Sequence, residues 1–183
     1  METIPCRIPY LRADPHRVAR WHQILGPRTR PRVGLAWSGN PRHSNDHNRS
    51  MPLARWIAHL PDEFEYICLQ NEMRDADRLS LRSCAKIKTV DSSLVNSSLA
   101  DTAALMETLD LVISVDTSLA HLGGAMGRKT WILLPFLPDW RWLLDRRDSP
   151  WYPTATLYRQ PVAGDWDSVV AEVQKDLMQL CPS

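Results

Sequence analysis

Leu111-Val112-Ile113-Ser114-Val115-Asp116-Thr117-Ser118-Leu119-Ala120-His121 is the stretch on which the fold turns. Its first five residues are apolar or small on both faces, the pattern of a central strand in a parallel sheet covered on both sides. Asp116, Thr117 and Ser118 then break the run. Leu119 to Met126 follows with helical spacing and stops at Gly127, so the segment reads strand, turn, helix.

The same alternation extends in both directions. Upstream, strand-like runs occupy Arg32–Trp37, Phe64–Leu69 and Ile87–Val90. Helical spacing covers Pro52–Leu60, Met73–Leu81 and the stripe from Leu99 to Leu109, for which Ser98 is an N-cap with Asp101 three residues on. Downstream come strands at Trp131–Leu134 and Thr156–Tyr158. A short Trp-rich helix is expected at Asp139–Leu144, and an amphipathic helix at Asp165–Leu180. Six strands alternating with helices predict a Rossmann-like, doubly wound α/β fold with a mostly parallel six-stranded sheet. Ligands of such sheets bind beyond the carboxyl ends of the strands. That rule selects loops 37–51, 70–73, 91–98, 116–121 and 135–142.

Composition bounds the function classes. The 183 residues suffice for one core, and no apolar run approaches the ~20 residues of a membrane span. Cys6, Cys68, Cys84 and Cys181 form no C-x-x-C pair, which predicts free thiols and a reduced, cytoplasmic protein. His and acidic residues are scattered, so no metal site and no bound cofactor is expected. Net charge is +1, but residues 1–60 carry a balance of +7 and the remainder −6. This excess reads either as a solvated face or as a local anion site. Near-zero total charge argues against a nucleic-acid partner. Eight Trp against two Phe is unusual, and Trp often lines ligand sites.

Three loops carry candidate chemistry. In the first, Asp116 can accept from sugar hydroxyls. Thr117 and Ser118 sit where a helix start offers free N–H groups and about half a positive charge to a phosphate. The same residues also read as a plain N-cap with His121 packed in the helix. The second loop, 38–50, is polar: Ser38, Gly39 and Asn40 open it, Gly39 allows close backbone approach, and Arg42 and Arg49 can clamp phosphate oxygens. In the third, Phe136, Trp140 and Trp142 can wall a base or sugar ring, or pack the helix onto the sheet. Gly123-Gly124-Ala125-Met126-Gly127 starts too far after its strand for a dinucleotide fingerprint, and reads as close helix–sheet packing and a C-cap.

Gly34-Leu35-Ala36-Trp37-Ser38-Gly39-Asn40, the Leu111–Leu122 segment and Pro138-Asp139-Trp140-Arg141-Trp142 together resemble the ADP-heptose:lipopolysaccharide heptosyltransferases, glycosyltransferase family nine. The likeness spans roughly residues 5–180, and Asp-Thr-x-x-x-His is its most specific element. It is nearest to the branch attached to bacterial tetratricopeptide-repeat proteins. The resemblance implies one half of a GT-B fold, the C-terminal, donor-binding half, with a linker remnant at 1–15 and the domain at 16–183. It also implies a metal-independent, inverting transfer from a nucleoside diphosphate sugar, whose general base lies on an N-terminal half. Partners would then be the nucleotide-sugar and either that half or a tetratricopeptide region.

By the same resemblance Asp116 binds the donor sugar, Thr117 and Ser118 meet the diphosphate, and His121 shapes the site. Ser97, Ser98 and Asp101 meet the nucleoside. The chain departs from the family at Ser118, usually Gly, which narrows the phosphate pocket, and at Arg49, the nearest substitute for a phosphate-binding Lys. The expectation is a donor-binding unit inactive in isolation. The alternative is a non-catalytic interaction module derived from such a domain.

Overall fold

The computed structural model describes residues 7–90 and 98–181. Elements follow in the order α1 (Pro15–Leu25), β1 (Arg32–Ala36), α2 (Asp46–Arg49), α3 (Leu53–Ile57), β2 (Glu65–Cys68), α4 (Asp75–Arg82) and β3 (Ile87–Lys88). Beyond residues 91–97 come α5 (Leu99–Glu107), β4 (Leu111–Val115), α6 (Ser118–Ala125), β5 (Thr130–Leu134), a 3-10 turn at Trp140–Trp142, β6 (Ala155–Arg159) and α7 (Trp166–Gln179). The strands form one sheet in the order β3-β2-β1-β4-β5-β6, and every pairing is parallel. This is a Rossmann-like α/β fold. The order reverses between β1 and β4, so the crevice of a doubly wound sheet lies beyond their carboxyl ends.

The strands form where apolar residues run without a gap. Leu111, Val112, Ile113 and Val115 are each at most 2% exposed, and burying each side chain contributes about 1.5–3 kcal/mol. Alternate residues serve opposite faces. Val33, Leu35, Ile113 and Leu133 join α3 and α7 through Leu53, Trp56, Val169 and Val173. Ala36, Ile67 and Val112 join α1, α5 and α6 through Trp21, Leu105 and Leu122.

α1 has no counterpart among the helices expected from sequence. Asp14 caps it, accepting from the amides of His16 and Arg17 at 2.8 and 3.1 Å, and Pro15 opens it. Ahead of it, the amides of Tyr10 and Leu11 both donate to the Ala125 carbonyl, so this lead-in lies along the end of α6. The single-turn α2 was likewise not foreseen. The Pro52–Leu60 helix is shorter, and the Trp-rich segment closes to one 3-10 turn.

One compositional expectation is corrected. Trp21, Trp37, Trp56, Trp131, Trp142 and Trp166 are all core residues, so the Trp excess mainly fills the core. Of the ten arginines in the first third, four pair with the acidic remainder: Arg17 with Asp101, Arg28 with Asp110, Arg32 with Glu65 and Arg55 with Asp167. Cys68, Cys84 and Cys181 are free, and burial pushes the Cys68 thiol up to about 11. Cys6 and Ser97 lie outside the described residues. Among those described, no helix is long and apolar enough to cross a membrane, and no group of three or more His, Cys, Asp or Glu can hold a metal.

Candidate functional site

β1 ends at Ala36 and hands the chain to Trp37 and Ser38, both buried. Gln70, just past β2, fixes this exit. Its Oε1 accepts from the amides of Trp37 and Ser38 at 3.2 and 3.1 Å, and its Nε2 donates to the Ser38 carbonyl at 2.9 Å. A side-chain amide thus replaces the ladder bonds that stop with the strand.

The loop beyond is organised by Asp46, 5% exposed at the start of α2. Its carboxylate accepts from the Ser50 hydroxyl at 2.7 Å and pairs with Arg74. Ser50 in turn accepts from the Gly39 amide at 2.8 Å. Arg49 fills the space between. Its Nη1 donates to the Asp116 carbonyl at 3.0 Å and its Nε lies 3.7 Å from Asp46. A Cβ on Gly39 would stand 2.7 Å from Arg49 Nη2 and 2.8 Å from Asp46 Oδ1, so any larger residue would displace the guanidinium and carboxylate from these positions. Arg49 therefore ties the first loop to the end of β4.

At that end Thr117 is the N-cap of α6. Its hydroxyl accepts from the Leu119 amide at 3.3 Å and lies 3.1 Å from the Ser114 hydroxyl. One helix start cannot satisfy all of its own first-turn amides, so the rest have no partner within the helix. His121, one turn on, is held on three sides. Its ring stacks on Trp142 at 5.1 Å, Nδ1 lies 3.1 Å from the Tyr152 hydroxyl, and Nε2 lies 3.7 Å from Asp116 Oδ1. Burial lowers its pKa and the neighbouring Asp116 carboxylate works against that; Arg141 lowers it further and Asp139 raises it. The Tyr152 phenol is pushed up, first by burial and then by the adjacent Tyr10 hydroxyl.

A cavity of about 190 Å³ separates the two loops. Ser38, Gly39 and Asn40 line one wall, Thr117, Ser118 and Leu119 the other, and Gln70, Asn71 and Glu72 the floor. The Ser38 hydroxyl, on a residue 4% exposed, has no partner among the described residues. A larger hollow of about 540 Å³ adjoins it, sharing Gly39, Asn71 and Glu72 and reaching Arg74 and Arg78.

The sequence-derived candidates thus divide. Ser38, Gly39, Asn40, Thr117 and Ser118 line one cavity. Arg49, Asp116 and His121 flank it behind the α6 turn. Ser98 and Asp101 sit at the start of α5, where the Asp101 carboxylate pairs with Arg17 and accepts from the Ser98 hydroxyl at 2.9 Å. Trp140 is 67% exposed on the 135–142 loop, edge-on to Trp151 at 6.2 Å, while Trp142 is wholly buried. Gln70, Asp46, Arg74 and Tyr152 escaped the reading of the sequence. Asp46 and Ser50, four residues apart, were a faint local signal; the other three reach the site through long-range contacts.

Comparison with known proteins adds the following. No protein-family model matches the chain. It is 27% identical over 191 residues to Protein FlbA of Caulobacter vibrioides, a match spanning 100% of this chain and 31% of that protein. In structure it superposes on the ADP-heptose LPS heptosyltransferase II of E. coli with a TM-score of 0.63 and 15% identity, over 97% of this chain and 55% of the other. The chain therefore spans about a third of the first protein and about half of the second, and its fold is that of a region of a GT-B heptosyltransferase.

Proposed function

We propose that this chain binds a nucleoside diphosphate sugar at the carboxyl ends of β1 and β4, as the donor-binding half of a GT-B glycosyltransferase that needs a second half for turnover. The observation that carries this reading is the cavity between Ser38–Asn40 and the N-terminus of α6, together with a Ser38 hydroxyl that is buried without a hydrogen-bond partner. A buried hydroxyl left unpaired is costly unless a ligand supplies the missing bond. A diphosphate would accept from that hydroxyl and from the open amides of α6. Asp116 and His121, beside the turn, would meet the sugar. The heptosyltransferase likeness supports the class of donor.

In the assembled enzyme the acceptor hydroxyl would displace the diphosphate in line, with the proton taken by a base outside this chain. Arg49 would act through the backbone it holds, keeping the Asp116 turn at the correct distance from Gly39. Isothermal calorimetry with UDP, ADP and GDP tests the reading. At least one should bind, Asp116→Ala should lower affinity for its sugar conjugate, and Arg49→Ala should weaken both. Heat-silent titrations with all three, confirmed by unchanged spectra, would overturn it.

One observation favours the interaction module instead. Phe136, Leu137, Trp140 and Leu144 stand 47–76% exposed together on the 135–144 segment. Apolar residues grouped this way mark contact surfaces. That module would keep the patch and bind no nucleotide, so the same titration separates the two.

A further inference from the structure

Tyr152 stands 31 residues from His121 in sequence and touches it in space, 3.1 Å from Nδ1. Its seat is cut into α6. A Cβ on Gly124 would lie 2.3 Å from Tyr152 Cγ and within 2.7 Å of both Cδ atoms. Gly124 and His121 are three residues apart and share a helix face, so one ring packs into the notch of the first and reaches the second. Gly123, by contrast, faces β5, where its Cβ would meet the Thr130 hydroxyl at 2.6 Å. The paired glycines thus serve two different contacts.

The two nitrogens of His121 meet different chemistry. Nε2 faces the Asp116 carboxylate at 3.7 Å, which can only accept. Nδ1 faces a phenol, which can donate. With the proton on Nε2, both contacts are attractive. With the proton on Nδ1, the Nε2 lone pair would face a carboxylate oxygen. Trp142, stacked at 21° to the imidazole, blocks rotation of the ring out of this plane.

We propose that Tyr152, seated against Gly124, is a positioning residue that donates to His121 Nδ1 and so fixes the His121 proton on Nε2, directed at Asp116. Burial and the adjacent Tyr10 hydroxyl raise the phenol's pKa, so it holds its proton throughout the neutral range; of its two neighbours, His121 Nδ1 is the one within 3.1 Å whose lone pair accepts from it in the Nε2–H tautomer. The consequence for ligands rests on the nucleotide-sugar reading above: Nε2–H and the Asp116 carboxylate would present one donor and one acceptor to a sugar hydroxyl.

The test is 15N NMR of histidine-labelled protein without ligand, at pH 7.5. His121 should show a pyridine-type Nδ1 and a pyrrole-type Nε2. Tyr152→Phe keeps the ring in the notch and should give mixed tautomers, with Gly124→Ala shifting in the same direction. A wild-type His121 protonated on Nδ1 would overturn the proposal without recourse to any variant. So would a folded Tyr152→Phe whose His121 shifts are unchanged. Titration with the sugar conjugate of the best-binding diphosphate then reads the consequence: Tyr152→Phe should raise Kd about three- to tenfold, the loss of one directed hydrogen bond. Correct tautomers with no nucleotide binding would refute the nucleotide reading and leave the Tyr152 assignment standing.

Discussion

The two ends of β1 treat polar groups in opposite ways. At its start, Arg32 is 1% exposed and held at two of its nitrogens: Nε meets Glu65 at 2.7 Å, and Nη2 reaches the carbonyls of Leu25, Gly26 and Pro27 at 2.8–3.3 Å. Its own amide donates to Asp110 at 2.7 Å. At the other end, the Trp37 indole, the Ser38 hydroxyl and the Arg49 Nε are buried without a hydrogen-bond partner. The bias extends across the sheet. Of eight such side-chain atoms among the described residues, four belong to residues at or within two positions of a strand carboxyl end: Trp37, Ser38, Arg159 and Gln160. Stability favours closing every buried polar group. Around Arg32 the amino edge does so; the carboxyl edge around Trp37 and Ser38 does not, and that difference underlies the binding proposed there.

That contrast breaks most visibly at Arg32. Arg32→Met strips Glu65 and three carbonyls of their shared donor and should cost about 3–5 kcal/mol, the range for dismantling a buried pair. Urea unfolding with an unchanged slope would register it as a lower midpoint. Asp46→Ala sits between the two regimes. It releases Arg74 and Arg49 and frees Ser50, so we expect a loss of about 2–4 kcal/mol together with weaker nucleotide binding. Ser38→Ala is the opposite of Arg32→Met. It removes a hydroxyl with no partner, so stability should stay within about 1 kcal/mol of wild type while Kd for the diphosphate rises about three- to tenfold.

Acid should act on the open edge too. Burial holds the His121 pKa below its ordinary 6.5, so the unfolded chain takes up that proton more readily than the folded one. The His121 contribution is therefore complete above the unfolded value and is lost as pH falls from there through the lower folded value. Thermal melts from pH 7.5 to 5 should show a shallower decline for His121→Phe than for wild type.

How far the sequence reaches differs between the same two features. All six strands were legible because parallel strands covered on both faces are continuous apolar runs, as Leu111–Val115 and Trp131–Leu134 show. α1 was missed because its buried Trp21 and Leu25 are too few to stand out among five polar or charged neighbours in Pro15–Leu25 and sit beside a stretch that reads as linker. At the open edge, the residues adjacent to strand ends were found and their partners were not. Asp116, Thr117 and Ser118 announce a strand-to-helix turn by type alone. Gln70, Arg74 and Tyr152 do their work across 28–33 residues of chain, and nothing in their local sequence marks it. Asp101 shows the converse: its capping role beside Ser98 was readable, whereas its pairing with Arg17 waits on α1 being a helix.

The central claim is that the unmet polar groups at the carboxyl edge await a diphosphate. Amide chemical shifts recorded during titration with ADP, UDP and GDP test it most directly. The account predicts that one nucleotide moves the amides of Ser38, Gly39, Ser118 and Leu119 in a saturable way, while Arg32 and Asp110 at the opposite edge stay still. Shifts confined to the exposed Leu137–Leu144 surface, or none at any strand end with all three nucleotides, would contradict it.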